Sequence, residues 1–114
     1  MADAARPTAQ ILAFGPFRLL RAQRVLLEGD TPLRLGSRAL DILIALVERP
    51  GEVVSKEDLF ARVWPSTFVV EANLKVHVGA LRKALGDGQS GARYVTNVPG
   101  RGYRFVAPVT PVHE

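Results

Sequence analysis

A chain of 114 residues, 47% hydrophobic and 23% charged, has the size of one globular domain and buries roughly 60 to 70% of its unfolded surface without staples. It has no cysteine, which excludes disulfides, thiolate catalysis and Cys-based zinc sites and fits a reducing, cytoplasmic setting. No apolar run approaches the roughly 20 residues of a bilayer span, and Met1 to Pro7 lack the pattern of a secretory signal, so a soluble chain with no membrane partner is expected.

The net charge of +4 is unevenly spread. Residues 1–71 hold nine Lys/Arg and nine Asp/Glu, whereas residues 72–106 hold Lys75, Arg82, Lys83, Arg93, Arg101 and Arg104 against Asp87 alone. Such an excess fits a polyanionic partner; composition alone fits a solvated basic surface equally well.

Residues 1–10, small and polar around Pro7, are expected to form a flexible leader. Short apolar runs follow, Ile11 to Phe14, Phe17 to Leu20, Val25 to Leu27 and Leu33 to Leu35, separated by Gly15-Pro16, Arg21 to Arg24 and Gly29-Asp30-Thr31-Pro32. Runs this short between turn formers predict an antiparallel meander of four strands. Leu19-Leu20 and Val25-Leu26-Leu27 do not alternate, which leaves strand boundaries open by a few residues.

The period then changes. Leu40, Leu43, Ile44 and Val47 fall at i, i+3, i+4 and i+7 and predict a helix that begins at Gly36-Ser37 and ends at Pro50-Gly51. Ser55-Lys56-Glu57-Asp58 supplies a hydroxyl cap and a carboxylate three residues on, with Val54 placed to staple onto Leu59. The second helix therefore starts at Ser55, and Pro65 ends it by disfavouring helical geometry at Trp64. In the third, about residues 71–85, Leu74, Val78, Leu81 and Leu85 form a narrow apolar stripe and Gly86 terminates it.

Residues 93–106 are strand-like on both sides of Pro99-Gly100-Arg101-Gly102, which predicts a hairpin. Pro108 and Pro111 make residues 108–114 an expected tail or linker. Four strands, three helices and a hairpin, with positive charge confined to the last helix and the hairpin, have the anatomy of an α+β winged helix-turn-helix spanning residues 11–107.

Catalytic chemistry finds no support. Gly86-Asp87-Gly88-Gln89-Ser90-Gly91 satisfies G-x-G-x-x-G, but a dinucleotide fingerprint follows a strand and opens a helix, whereas this one follows a helix and leads to a strand, so a flexible loop is expected. His113, the only histidine besides His77, lies in the tail, and acids, bases and nucleophiles do not cluster. No enzyme, cofactor or metal is expected.

Val70-Glu71-Ala72-Asn73-Leu74-Lys75-Val76-His77-Val78-Gly79-Ala80-Leu81-Arg82-Lys83-Ala84-Leu85-Gly86 resembles the recognition-helix signature of OmpR/PhoB-type effector domains, and Asn97-Val98-Pro99-Gly100-Arg101-Gly102-Tyr103-Arg104-Phe105 resembles their wing. Pro50 to Leu59 and Val63-Trp64-Pro65 resemble the second-helix region. The resemblance implies an N-terminal four-stranded sheet, a three-helix core and a wing paired with a short strand near Val53. It also implies double-stranded DNA as partner, the helix in the major groove and the wing in the minor groove. Head-to-tail pairs on direct repeats and an RNA polymerase contact through the 64–71 loop follow from the same likeness. Ala72, Gly79 and Ala80 stand where PhoB-like members carry arginines, so arginine-to-guanine readout is absent there. The stretch, at the start of its chain, is closer to ToxR-like regulators.

On a helical wheel with the apolar stripe inward, Ala72, Val76, Gly79, Ala80 and Lys83 point outward, flanked by Asn73, Lys75, His77 and Arg82. Small outward residues admit close backbone approach to DNA; Val76 or Ala80 would touch a thymine methyl and Asn73 an adenine or a phosphate. Lys75, Arg82 and Lys83 would hold phosphates. His77 is either a phosphate contact, as the resemblance implies, or a half-buried histidine bonded to its surroundings. Trp64 and Phe68 flank the 64–71 loop, with core packing the plainer role for Trp64. On the wing, Asn97 and Tyr103 join the DNA-binding set, the tyrosine hydroxyl toward a phosphate while its ring packs. Phe105 and Val95 pack the wing on the core. Arg101 is expected at the tip in the minor groove, with Gly100 and Gly102 permitting positive φ on either side. The alternative, from another class, is a winged helix used for protein interaction or dimerisation, its DNA face degraded by the alanines.

Overall fold

The structure, a computed structural model, describes residues 10–112; the leader lies outside them except for Gln10. Four strands open the chain, β1 (Ile11–Phe14), β2 (Phe17–Leu20), β3 (Val25–Glu28) and β4 (Thr31–Pro32). The meander is antiparallel, as predicted, but its fourth strand falls on Thr31–Pro32, inside the expected turn, and not on Leu33 to Leu35. The tight reversal at Gly29-Asp30 lets pairing with β3 begin at once, and it ends with Leu33 N donating to Leu26 O at 2.8 Å. Period-two alternation decides its buried face: Leu12, Phe14, Phe17, Leu19 and Leu26 are buried, and Leu20, Val25 and Leu27 are half-buried. The unalternating leucines are thus shared between the two faces.

Helix α1 (Ser37–Val47) buries Ala39, Leu40, Ile42, Leu43, Ala45, Leu46 and Val47, a wider face than the expected stripe, in which Ile44 is only half-buried. Its position explains this, because it packs on two other helices and on the hairpin. Strand β5 (Val53–Ser55) leads directly into helix α2 (Lys56–Val63). Ser55 Oγ accepts the amide hydrogen of Asp58 at 3.0 Å, so the predicted cap forms. The Asp58 carboxylate turns instead to Arg49 Nη1, 3.3 Å away, so the reciprocal half of a capping box is not made.

Helix α3 (Glu71–Leu85) buries the four stripe residues Leu74, Val78, Leu81 and Leu85 and no others. Gly86 follows with φ +70°, left-handed geometry that closes the helix at little steric cost. A short 3-10 turn, Gln89–Gly91, leads to β6 (Val95–Val98) and β7 (Gly102–Phe105). The connection expected to be slack is internally bonded, Gly88 N donating to Ala92 O at 2.6 Å and Ala92 N to Gln89 O at 3.0 Å. The hairpin is the expected wing, and β7 pairs with β5 from Val53↔Arg104 to Ser55↔Gly102.

Two further expectations do not hold. Residues Thr110–Val112 are not a free tail but form β8, which pairs antiparallel with β1 and makes the N-terminal sheet five-stranded, in the order β4-β3-β2-β1-β8. The open edge of β1 offers unpaired backbone groups, and Pro111, opposite Leu12, suits an edge strand because it lacks only a donor. Gly102 does not adopt positive φ; Gly100 alone in this turn does, at +75°. Gly102 is required by proximity instead: a Cβ there would collide with the carbonyl oxygen of Val54 and lie 2.9 Å from Ser55 Cα.

Aromatic rings join sheet to wing. Phe14 stands edge-on to Phe105, with centroids 5.0 Å apart, and Phe17 edge-on to Tyr94 at 5.5 Å, arrangements favoured by the ring quadrupole. Val95 and Phe105 are fully buried, as expected for wing-to-core packing.

Candidate nucleic-acid interface

Helix α3 presents three longitudinal zones. Along its outer edge Ala72, Val76, Gly79, Ala80 and Lys83 are exposed, and Val76 is 66% exposed, far more than an apolar side chain needs to be. A Cβ added to Gly79 would meet nothing within 4 Å. No intramolecular packing therefore requires glycine in the middle of this helix, where it costs about 1 kcal/mol relative to alanine.

The second zone faces the hairpin across an open groove lined by Lys75, Val78, Gly79, Arg82, Asn97 and Tyr103. Sequence-predicted residues from helix and wing thus meet on one surface. The Tyr103 ring is buried, as expected; burial, with a smaller contribution from the Glu71 charge, pushes its phenol above the ordinary range, so the hydroxyl keeps its proton at neutral pH. Lys75 Nζ lies 4.0 Å from Glu71 Oε2.

The third zone faces α2. His77 is half-buried, its ring 5.6 Å from that of Trp64. Trp64 also packs against Phe60 at 6.1 Å and lies under the Arg38 guanidinium at 5.9 Å, while Arg38 Nη1 donates to Val63 O. Trp64 is therefore a packing residue, and the exposed aromatic of the 64–71 loop is Phe68, at 91%. Asn73 is exposed in the first turn of α3, its amide donating to Val70 O.

At the wing tip Arg101 is exposed. Its amide donates to Val98 O at 2.9 Å across Pro99-Gly100, and its carbonyl accepts from Lys56 N at 3.1 Å. Pro followed by a positive-φ Gly, closed by that bond, has the pattern of a type II turn. The backbone is anchored on both sides and the side chain stands out alone.

Charge pairing is denser before α3, where Arg34 is the one basic residue among the described residues without an ion pair. Arg18, Arg24, Arg49, Lys56 and Arg62 pair with Asp30, Asp41, Glu52, Glu71 and Glu48, while Arg21 also meets Glu48. Of the six basic residues in 72–106, Lys83, Arg93, Arg101 and Arg104 have no ion pair among the described residues. Of these Lys83, Arg93 and Arg101 are exposed and so available to an external polyanion. Among the described residues no group of His, Asp or Glu is arranged to hold a metal, and no helix is long and apolar enough to cross a membrane.

Two residues at this surface escaped sequence reasoning, Glu71 and Asp87. Glu71 had a usable signal, its i, i+4 spacing to Lys75. Asp87 had a weaker one, as the only acidic residue between 72 and 106.

A family model described as "Transcriptional regulatory protein, C terminal" matches residues 30–105, from the end of the β3–β4 turn to the end of the wing. The chain belongs to this family. Its members are OmpR/PhoB-type regulatory domains and not enzymes. Over 89 residues the chain is 40% identical to the cholera toxin transcriptional activator of Vibrio cholerae, covering 76% of this chain and 30% of that protein. It thus spans less than a third of that relative's length. The DNA-binding domain of Escherichia coli CadC superposes with a TM-score of 0.79 at 26% identity, covering 90% of this chain and 97% of that one. The Klebsiella pneumoniae RstA DNA-binding domain, solved in complex with the RstA box, superposes with a TM-score of 0.74 at 21% identity over 85% of this chain and 97% of that one, and so shares the fold. The winged helix expected from the order of elements is the fold.

Proposed function

We propose that this winged helix binds double-stranded DNA sequence-specifically in bacterial transcription regulation, with α3 in the major groove and the β6–β7 hairpin in the adjacent minor groove. The observation that carries it is the continuous surface in which an outward face of small residues and Lys83 on α3 adjoins a groove bordered by Lys75 and Arg82 and a wing whose tip presents Arg101, exposed and without an ion pair among the described residues. Val76, Ala80 and Asn73 address bases, with Ala72 leaving room for the duplex. Lys75, Arg82 and Lys83 hold phosphates, joined by Asn97, Tyr103 and the exposed edge of His77, and these contacts fix register without reading sequence. Placement in the cytoplasm on the nucleoid follows from that activity, and head-to-tail pairing on direct repeats is the arrangement its resemblance favours. Exposure of Phe68 and Val70, at 91% and 54%, supports the 64–71 loop as the contact for RNA polymerase.

Titration with duplex DNA at two salt concentrations tests the central claim. Non-specific dissociation constants on the order of 10⁻⁴ to 10⁻⁶ M near physiological salt are expected, falling steeply at lower salt. Lys83→Ala weakens binding to all sequences alike, whereas Val76→Asp, which puts a carboxylate against the groove floor, selectively damages the specific complex. An affinity that ignores salt removes the electrostatic mechanism. Absence of binding at low salt leaves the interaction or dimerisation module as the function.

A further inference from the structure

Asp87 follows the last turn of α3, and its side chain is completely withdrawn from solvent. A carboxylate in that position is costly unless its charge and lone pairs are met. Oδ2 accepts the amide hydrogens of Tyr94 at 3.2 Å and Val95 at 2.8 Å, the entry to the wing. The same oxygen lies 3.7 Å from Arg82 Nε, a contact of charge rather than a hydrogen bond. Asp87 N donates to Arg82 O at 2.9 Å, so backbone and side chain of the aspartate both engage the arginine. Arg82 Nε and Asp87 Oδ1 are buried atoms without hydrogen-bond partners; one is a donor and the other an acceptor, on neighbouring side chains. Arg82 borders the groove that also holds Lys75, Gly79, Asn97 and Tyr103, and its side chain is 42% exposed.

We propose that Asp87 is a positioning residue that holds the Arg82 guanidinium by its buried Nε edge, so that the remaining nitrogens face the groove between recognition helix and wing as a preset contact for a DNA phosphate. A free arginine loses rotamer freedom when it grips a ligand. Here part of that ordering is completed during folding, and the guanidinium fork matches phosphate oxygens in a way that a point charge does not. Because Asp87 also grips the first amides of β6, the helix cation and the wing strand are set by one carboxylate. The functional half of this inference rests on the DNA-binding reading, and the positional half does not.

The test combines NMR of the Arg82 Nε–H group in the free protein with duplex titrations. Asp87→Asn keeps an oxygen for the two wing amides but removes the charge that faces Arg82. The Arg82 Nε–H signal is expected to be shifted and protected from exchange in the wild type and to lose both properties in Asp87→Asn. Duplex affinity falls about three- to tenfold, with no further loss when Asp87→Asn is added to Arg82→Ala. Arg82→Lys, which retains the charge without the Nε edge and leaves the wing clamp intact, weakens binding by a similar factor at unchanged Tm. An Nε–H signal indifferent to Asp87→Asn overturns the proposal, as do additive losses in the double variant or wild-type affinity of Arg82→Lys. If the wild type binds no duplex, the DNA reading fails, and the NMR comparison still decides whether Asp87 positions Arg82.

Discussion

The Nζ of Lys56 donates to the Oε2 of Glu71 at 2.7 Å, joining the first residue of α2 to the first residue of α3. The hydrogen bond, reinforced by opposite charge, holds the Glu71 carboxyl below the ordinary carboxylate range and the Lys56 amine above its ordinary range. A carboxyl whose folded value is lowered contributes stability above its unfolded value and loses it as pH falls through the folded one. An amine whose folded value is raised contributes below its unfolded value and loses it as pH rises through the folded one. The link between the two helices therefore persists from mildly acidic to alkaline pH. An NMR titration should place the Glu71 midpoint below that of an ordinary glutamate, and Lys56→Met should move it upward. An unmoved midpoint contradicts the pairing.

Gly79 is the clearest place where stability and binding oppose each other. With open space around it, Gly79→Ala should stabilise the free protein by up to about 1 kcal/mol through helix propensity. The same methyl enters the space through which the duplex backbone or base edges approach, so specific affinity should fall while urea stability rises. Loss of stability in that variant would refute an unconstrained Gly79.

The two wing glycines should respond unequally. Gly102→Ala drives a methyl into the Val54 carbonyl, rigid backbone on both sides of the β5–β7 pairing, and is expected to cost about 1–3 kcal/mol or more. Gly100→Ala, at φ +75° with nothing within 4 Å, carries only the left-handed backbone penalty of about 1–2 kcal/mol. Equilibrium unfolding of the two variants ranks them; a milder effect at Gly102 would mean that β5 and β7 are not in this register.

Arg101→Ala should leave the melting temperature unchanged, because the hydrogen bonds that anchor Arg101 come from its backbone. Specific binding should weaken by about 1–3 kcal/mol and any preference for A·T pairs beside the major-groove site should relax, since a narrow A·T minor groove attracts an inserted arginine. Footprinting across sites of different flanking composition measures this. An unchanged affinity, with the side chain in bulk solvent in the complex, would rule the insertion out.

Local periodicity by itself determined a great deal. The stripe of Leu74, Val78, Leu81 and Leu85 fixed the inward face of α3, hence which residues face outward. Ser55, Pro65 and Gly86 marked helix ends because caps and breakers act over a single turn. The turn at Pro99-Gly100 is equally local, and so are the unpaired cations insofar as acidic neighbours are scarce in residues 72–106. Tertiary structure decided what depends on distant partners. Thr110–Val112 became a strand only because β1 has an open edge nearly a hundred residues earlier in the chain. Gly102 is small because β5 crosses beside it, not because of its own dihedral angles. Trp64 turned inward to meet Phe60 and His77, leaving Phe68 as the exposed ring of the loop. Asp87 looked like part of a polar loop, yet its carboxylate is withdrawn from solvent between helix and wing, since burial of a charge depends on whether amides and a guanidinium arrive from elsewhere to meet it. Periodicity sets which way a residue faces; only packing sets what it faces.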